Sequence, residues 1–387
     1  MSVRPRHNEQ AATAAVLLDA LGKPGPPPPE ADRVDPHRLA KVARWHGIEG
    51  YVLAYLLERG HDPATLGELE VACRTTAVAH LRKVADLHAL QQILAAASID
   101  VLVVKGPVVA ETLHGSATLR GYEDLDLVVA PADFRSAVTS LEAAGVQVLD
   151  RNWDRLVRER RGQCHLLTDR DTIVDLHWHL INDADLRAVI DLRTEALFAR
   201  SVTAPIGRLG VATTDPVDTL LHLCIHATMA GGDRLIWFKD IERAVAATTD
   251  WDEVVRRSAA WGSDLPVGMA LQGAVRLLDA PVPGEVLRGL ASSRTWRWVN
   301  VVSSRLSPPE QLDGGGALYR MVGRSTRRDL SSSLAELARR GVRHVPWLPG
   351  REAEGDIFDA GGPDSLHHPA GDREAYFALV AGQVDPG

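Results

Sequence analysis

The residues whose types and spacing suit chemistry in this chain are Asp124, Asp126 and Asp175, with Lys105, Gly106, Arg120 and His177 as their companions. Asp124 and Asp126 stand two apart in the run Asp124-Leu125-Asp126-Leu127-Val128-Val129. Alternate residues of a strand project to one face, so Leu125, Leu127 and Val129 take the opposite one. The run predicts two carboxylates leaving a sheet side by side, above an apolar underside. Like charges held that close repel unless a proton or a cation lies between them. Hard oxygen ligands suit Mg²⁺ or Mn²⁺. The plainer account is a strand-end Asp that only caps a turn. Two basic groups favour the metal: Lys105-Gly106 closes the apolar run Val101-Leu102-Val103-Val104, and Arg120 precedes Asp124 by four residues. Positive charge beside a carboxylate pair suits an anion carried by a metal.

A third acid lies in Thr172-Ile173-Val174-Asp175-Leu176-His177-Trp178, which reads as a buried strand. Asp175 shares a face with His177 and His179, while Val174, Leu176 and Trp178 take the other. A carboxylate in such a strand is costly to bury unless it is paired or binds metal; an edge-strand Asp met by a neighbouring Arg would also satisfy it. Asp175, His177 and His179 together raise a second chemistry, a zinc-dependent hydrolase. His222 and His226, four apart on a helix, could bind zinc too, but no Glu follows His222 to make HExxH, and a packed helix face accounts for them better. His61-Asp62 reads as a helix cap followed by Pro63, not as a phosphohydrolase motif.

These motifs in this order, Lys-Gly after a strand, Arg-x-x-x-Asp-Leu-Asp-Leu-Val-Val, then Val-Asp-Leu-His-Trp, resemble the nucleotidyltransferase superfamily with the DNA polymerase β-like palm. The similarity is greatest to its bacterial, nucleotidyltransferase-like branch. It continues through Asp218-Thr219-Leu220-Leu221-His222-Leu223-Cys224-Ile225-His226, Arg234-Leu235-Ile236-Trp237-Phe238-Lys239-Asp240-Ile241 and Asp250-Trp251, and covers about residues 84–282. The superfamily pattern has Gly-Ser where this chain has Gly106-Pro107, and the gap to Asp124 is longer here. The branch itself favours Lys-Gly, so the resemblance offers Lys105 in place of the phosphate-binding serine. It implies NMP transfer from an NTP, ATP first among them, to a hydroxyl on a small molecule or natural product rather than a protein. Asp124, Asp126 and Asp175 would hold two Mg²⁺, with Asp175 or His177 as the general base. Lys105 and Arg120 would face the phosphates. A non-catalytic nucleotide- or partner-binding descendant is the third class, and three retained carboxylates argue against it.

The elements that must position these residues are those of an α+β protein. Strands are expected at residues 100–104, 125–129, 146–149, 164–168, 172–178 and 203–208, with a helix over 132–144 that ends at Gly145. Helices precede them, opened by the caps Asp35-Pro36 and Asp62-Pro63, the second leading into one long helix over 64–97. From Asp215-Pro216 onward the chain reads as a helical bundle. The expected division is an N-terminal helical region 1–98, a mixed-sheet palm 99–212, a helical domain 213–347 and a loosely ordered tail 348–387. Five arginines between Arg151 and Arg161 read equally as a phosphate clamp and as a solvated basic loop.

At 387 residues the chain is long enough for two or three domains. A net charge of −8 argues against a nucleic-acid partner. Three scattered cysteines, Cys73, Cys164 and Cys224, form no CxxC and suit a reducing cytoplasm. No apolar run of membrane-spanning length and no secretory leader is visible in the sequence, so no membrane partner is expected.

Overall fold

The structure is a computed structural model. It describes residues 4–23, 34–290, 317–325, 330–343 and 362–383. In chain order the described elements are α1 (Arg4–Ala20), α2 (Pro36–His46), α3 (Glu49–Glu58), α4 (Gly67–Ala96), β1 (Val101–Val104), α5 (Gly106–Thr112), β2 (Asp124–Val129), α6 (Phe134–Ala143), β3 (Gln147–Val148), α7 (Trp153–Glu159), β4 (Gln163–Leu167) and β5 (Ile173–His177). There follow α8 (Ala184–Arg187), α9 (Thr194–Ala199), β6 (Val202–Ile206), β7 (Leu209–Thr213), α10 (Pro216–Ala230), α11 (Leu235–Ala247), α12 (Trp251–Trp261), α13 (Asp264–Leu278), α14 (Gly284–Leu290), α15 (Ala317–Gly323), α16 (Leu330–Arg343) and α17 (Arg373–Ala381).

These elements form two compact units that interleave along the chain. One gathers Met1–His80, Val109–Tyr122 and Pro216–Gly341; the other gathers Leu81–Val108, Glu123–Asp215 and Val342–Gly387. The units therefore do not follow the four consecutive segments expected from the sequence. The reason is local: α4 runs unbroken through 30 residues, with no proline to stop it, so one division falls within that helix rather than at its end.

The sheet-bearing unit holds a five-stranded mixed sheet of order β1-β2-β5-β4-β3. β2 and β5 run parallel, and the other neighbouring pairs are antiparallel. The α+β architecture expected from the sequence is the one found. One sheet face is wholly apolar: Leu125, Leu127 and Val129 of β2, Cys164 and Leu166 of β4, and Val174 and Leu176 of β5 are all inaccessible to solvent. That burial is the main anchor of the sheet, since apolar area removed from water contributes roughly 25 cal/mol per Å². β6 and β7 form a separate hairpin. β7 was not expected: the strand read at 203–208 stops at the two-residue turn Gly207-Arg208, with Gly207 at φ +56°, beyond which β7 pairs back on β6.

The tail expected to be loosely ordered is corrected in part. Residues 362–383 are structured, and α17 opens at Asp372, whose carboxylate accepts from the Glu374 N–H. Gly- and Pro-rich composition hid an aromatic anchor. Tyr376 is fully buried, edge-on to Phe134 with ring centroids 5.9 Å apart, and its hydroxyl donates to the Arg161 carbonyl at 2.8 Å. The Trp178 indole N–H reaches the same carbonyl at 3.0 Å and the Tyr376 hydroxyl at 3.1 Å. Residues 348–361 and 384–387 lie outside the described ones.

In the helical unit the expected caps are in place. The Asp35 carboxylate accepts from the His37 N–H, and Gly47 ends α2 in the left-handed region at φ +68°. Asp62 caps a single 3₁₀ turn, Pro63–Thr65, just before α4 begins. α10, α11 and α13 pack on one another. α11 and α13 cross closely because Gly273 has no side chain: a Cβ there would sit 2.3 Å from the buried Phe238 ring. His226 lies edge-on to Trp237 at 5.4 Å, and His222 is buried, in keeping with a packed helix face. Among the described residues no helix is long and apolar enough to cross a membrane.

Tyr376→Ala tests whether the C-terminal segment is integral to its unit. It removes a fully buried aromatic ring and one of the two acceptors of the Trp178 indole N–H, and it should cost about 3–5 kcal/mol, read from urea melts. A loss below about 1 kcal/mol would mean that α17 is only loosely docked.

Candidate active site

The parallel pairing of β2 with β5 sets Asp126 opposite Asp175, and the antiparallel pairing of β5 with β4 sets Asp175 opposite His165. One row across three strands therefore carries Asp126, Asp175 and His165. The next row carries Val128, His177 and Gln163. Side chains two apart on a strand share a face, so this polar face is the reverse of the apolar one. Asp126, His165, His177 and Gln163 are buried on it, and the Asp175 side chain keeps only 15% of its surface accessible.

Lys105 enters from the end of β1. It takes a left-handed backbone, φ +49°, which is uncommon for a residue with a side chain. Gly106 follows at φ +32°. The turn stops β1 at Val104, starts α5, and directs the Lys105 ammonium to Asp126 Oδ1 at 3.0 Å. His177 Nε2 lies 3.2 Å from the same oxygen. Among the described residues, Asp126, Asp175 and His177 each offer a ligand atom within 4.8 Å of the others. The expected acid trio thus gathers with a substitution: His177 joins Asp126 and Asp175 in that group, while Asp124 sits at the opening of β2 and acts on both through its charge.

The charges explain the titration of the group. Burial, then the charges of Asp126 and Asp175, push the Asp124 carboxyl up to about 6, against the opposing pull of Lys105. Asp126 is held well below the usual carboxylate range: burial would raise it, but the Lys105 ammonium and the His177 imidazole outweigh that. The Lys105 ammonium is raised, because burial is outweighed by Asp126 and Asp124, with Asp175 adding to them. Three carboxylates thus face one lysine. A divalent cation suits this excess, with Asp126, Asp175 and His177 able to hold it. His177 Nδ1 is buried without a hydrogen-bond partner, so this side chain is not fully satisfied by the protein.

Other residues singled out from the sequence are engaged elsewhere. Arg120 is buried in the helical unit, where its Nη2 donates to Asp240 Oδ2 at 3.0 Å and its Nε to Oδ1 at 3.2 Å. His114 Nε2 meets Asp240 Oδ1 at 2.7 Å, and the Tyr51 hydroxyl meets His114 Nδ1 at 2.6 Å. His179 corrects the zinc set of Asp175, His177 and His179. β5 ends at His177, after which His179 Nε2 donates to the Leu192 carbonyl at 2.7 Å and Nδ1 accepts from the Ile181 N–H at 3.0 Å. Both nitrogens are spent on backbone, and burial, with Arg187 adding to it, lowers the ring to about 3. Part of the arginine-rich stretch, Trp153–Glu159, is the helix α7; Arg155 within it and Arg161 just past its end hold Glu159 at 2.7 and 2.9 Å.

Sequence reasoning missed Gln163, His165 and Asp150. Gln163 Nε2 donates to Asp175 Oδ2 at 2.7 Å, and His165 Nδ1 lies 2.9 Å from Asp150 Oδ2. His165 is raised, since burial is outweighed by the hydrogen bond and charge of Asp150 and by Asp175. A signal was present: Gln163 and His165 alternate with Cys164 and Leu166, as Asp175 and His177 alternate with Leu176.

A raised carboxyl stabilises the fold at low pH only. The contribution of Asp124 is complete below its unfolded value near 4 and is lost as pH rises through about 6. Asp126, held low, titrates below this window. In EDTA the melting temperature should therefore fall between about pH 4 and pH 6, by the equivalent of about 2 kcal/mol. Asp124→Asn should flatten that fall and melt higher than wild type at pH 7.5. An unchanged slope in the variant would remove Asp124 from the cluster.

The family described as an uncharacterised nucleotidyltransferase matches residues 32–279. No curated protein matches the chain. Among solved structures, similarity is found to an antigenic nucleotidyltransferase-like protein from Paracoccidioides brasiliensis, at 15% identity and a TM-score of 0.29, over 56% of this chain and 95% of that one. The matched span takes in β1 through α13, the whole of the Lys105–Asp126–Asp175–His177 group included, and the chain belongs to the uncharacterised nucleotidyltransferase family.

Proposed function

We propose that the protein moves an NMP from an NTP, ATP first among them, to a hydroxyl-bearing small molecule and releases pyrophosphate. The observation that carries this reading is the in-register pairing of Asp126 with Asp175, with Lys105 and His177 converging on Asp126. A divalent cation held there would neutralise phosphate charge and make the acceptor hydroxyl easier to deprotonate. Lys105 supplies a fixed positive charge beside the phosphate oxygens, and its left-handed turn sets that charge before substrate arrives. Asp175, the more accessible of the two paired acids, takes the proton from the acceptor hydroxyl. The acceptor oxygen then bonds to the α-phosphorus as the bond to the β-phosphate oxygen breaks, and pyrophosphate leaves with that electron pair. Asp124 at the mouth of β2 adds a third carboxylate for metal. Arg120, committed to Asp240, is given no phosphate role here.

The nitrogen of His177 makes Mn²⁺ a better occupant than Mg²⁺, which prefers oxygen throughout. Zinc also accepts this donor set, so metal content separates transfer from hydrolysis. The loss of His179 from the set favours transfer. The cytoplasm is the proposed compartment, supported by three buried free thiols, Cys73, Cys164 and Cys224.

The test is pyrophosphate release with each of the four NTPs and a metabolite extract, with mass spectrometry for products gaining an NMP. Release should need Mn²⁺ or Mg²⁺ and stop in EDTA. Asp126→Asn should abolish it, and Asp175→Ala should lower kcat by roughly a hundredfold or more while sparing much of the NTP binding. Stoichiometric zinc in the purified protein, lost in both Asp175→Ala and His177→Ala, would overturn the assignment in favour of a hydrolase.

A further inference from the structure

We propose that Gln163 and His165 are positioning residues for Asp175: with Asp150 behind them, they keep its carboxylate turned toward Asp126 and His177, where a divalent cation is held. The inference rests on the metal reading given under Proposed function. β4 runs antiparallel to β5 with His165 opposite Asp175 and Gln163 opposite His177, so both side chains stand on the polar face beside the metal group. The Gln163 amide donates to Asp175 Oδ2 at 2.7 Å and lies 3.2 Å from His165 Nε2. His165 Nε2 lies 3.7 Å from the other oxygen of Asp175. Each oxygen of that carboxylate therefore has a neighbour on β4.

The chain continues one residue deeper. Asp150 accepts at Oδ2 from the His165 backbone N–H at 2.9 Å, and the same oxygen lies 2.9 Å from His165 Nδ1. Its side chain is 2% accessible and that of His165 5%. A carboxylate so deeply buried is tolerated only with such donors, and the bond fixes the ring with Nδ1 toward Asp150 and Nε2 toward Gln163 and Asp175. Packing alone does not require polar groups here, because the alternate positions of β4, Cys164 and Leu166, are fully buried and apolar.

The arrangement opposes a definite force. Asp126 and Asp124 both repel Asp175, and a free carboxylate would rotate away from them. The Gln163 hydrogen bond holds it in place, as outer partners hold metal-binding carboxylates generally.

The test uses Mn²⁺ titration of the full chain, with unbound Mn²⁺ read by electron paramagnetic resonance, beside thermal melts in EDTA. Gln163→Met keeps the volume and removes the donor. His165→Asn keeps an amide N–H where Nδ1 meets Asp150 but carries nothing at the Nε2 position. Both variants should melt close to wild type and bind Mn²⁺ roughly ten- to a hundredfold more weakly. Affinity indistinguishable from wild type in either variant overturns the proposal. So does an affinity loss that merely follows a lost metal-free fold in both, which would make the network structural. A wild-type protein that binds no Mn²⁺ refutes the metal reading itself, a result distinct from wild-type binding that the variants retain.

Discussion

The repulsion between Asp126 and Asp175 is the constraint around which the sheet-bearing unit is built. Parallel pairing of β2 and β5 puts the two acids in register on one face. At that separation, in surroundings of low polarity, two ionised carboxylates are destabilising by several kcal/mol unless cations or donors face them. The fold supplies such partners from every neighbouring strand. Lys105 comes from the end of β1, His177 from β5 and Gln163 from β4. A sheet edge would not offer this: β2 and β5 lie inside the sheet, each with a strand on both sides.

The same interior position explains why the partners stay where they are. The apolar reverse of β2, β4 and β5 is fully buried, so a one-residue slip in register would bring carboxylates into the hydrocarbon core. Register is thus enforced by one face and used by the other. Lys105 adds a local cost, its left-handed backbone, which is the kind of strain that persists where surroundings over-determine it. Here the ion pair to Asp126 and the start of α5 do so.

A second buried ionic group lies in the helical unit, where Asp240 accepts from Arg120 Nε and Nη2 and meets His114 Nε2. Burial would raise Asp240, but the Arg120 charge and the His114 bond keep it low. It is a satisfied network, with a donor for each carboxylate oxygen. The Asp126 group differs in kind, since its carboxylates outnumber its cations and His177 Nδ1 has no partner. A satisfied cluster holds structure together; one with an excess of negative charge and an unsatisfied imidazole is suited to receive something.

The sequence by itself determined the strands that carry the acids, their two faces and the family. Alternation of Asp with Leu, and of Asp and His with Val and Leu, is a short-range property, since the strand period is two residues. Helix starts were legible for the same reason: Asp35-Pro36 and Asp62-Pro63 act within a turn of themselves. What the tertiary structure alone decided was partnership. Arg120 is four residues from Asp124 in the chain, yet its guanidinium belongs to Asp240, which follows it by 120 positions. His179 continued the alternation of Asp175 and His177 on paper, but the strand stops first and backbone groups take both its nitrogens. Gln163 and His165 alternate with apolar residues in the sequence, but that they face Asp175 was decided only by the pairing of β4 with β5. The tail hid Tyr376 among Gly and Pro, because an aromatic anchor is recognisable only with the surface that buries it. Local periodicity is written in neighbouring residues; which charge meets which is set by strand order and register, and these depend on contacts that no short stretch contains.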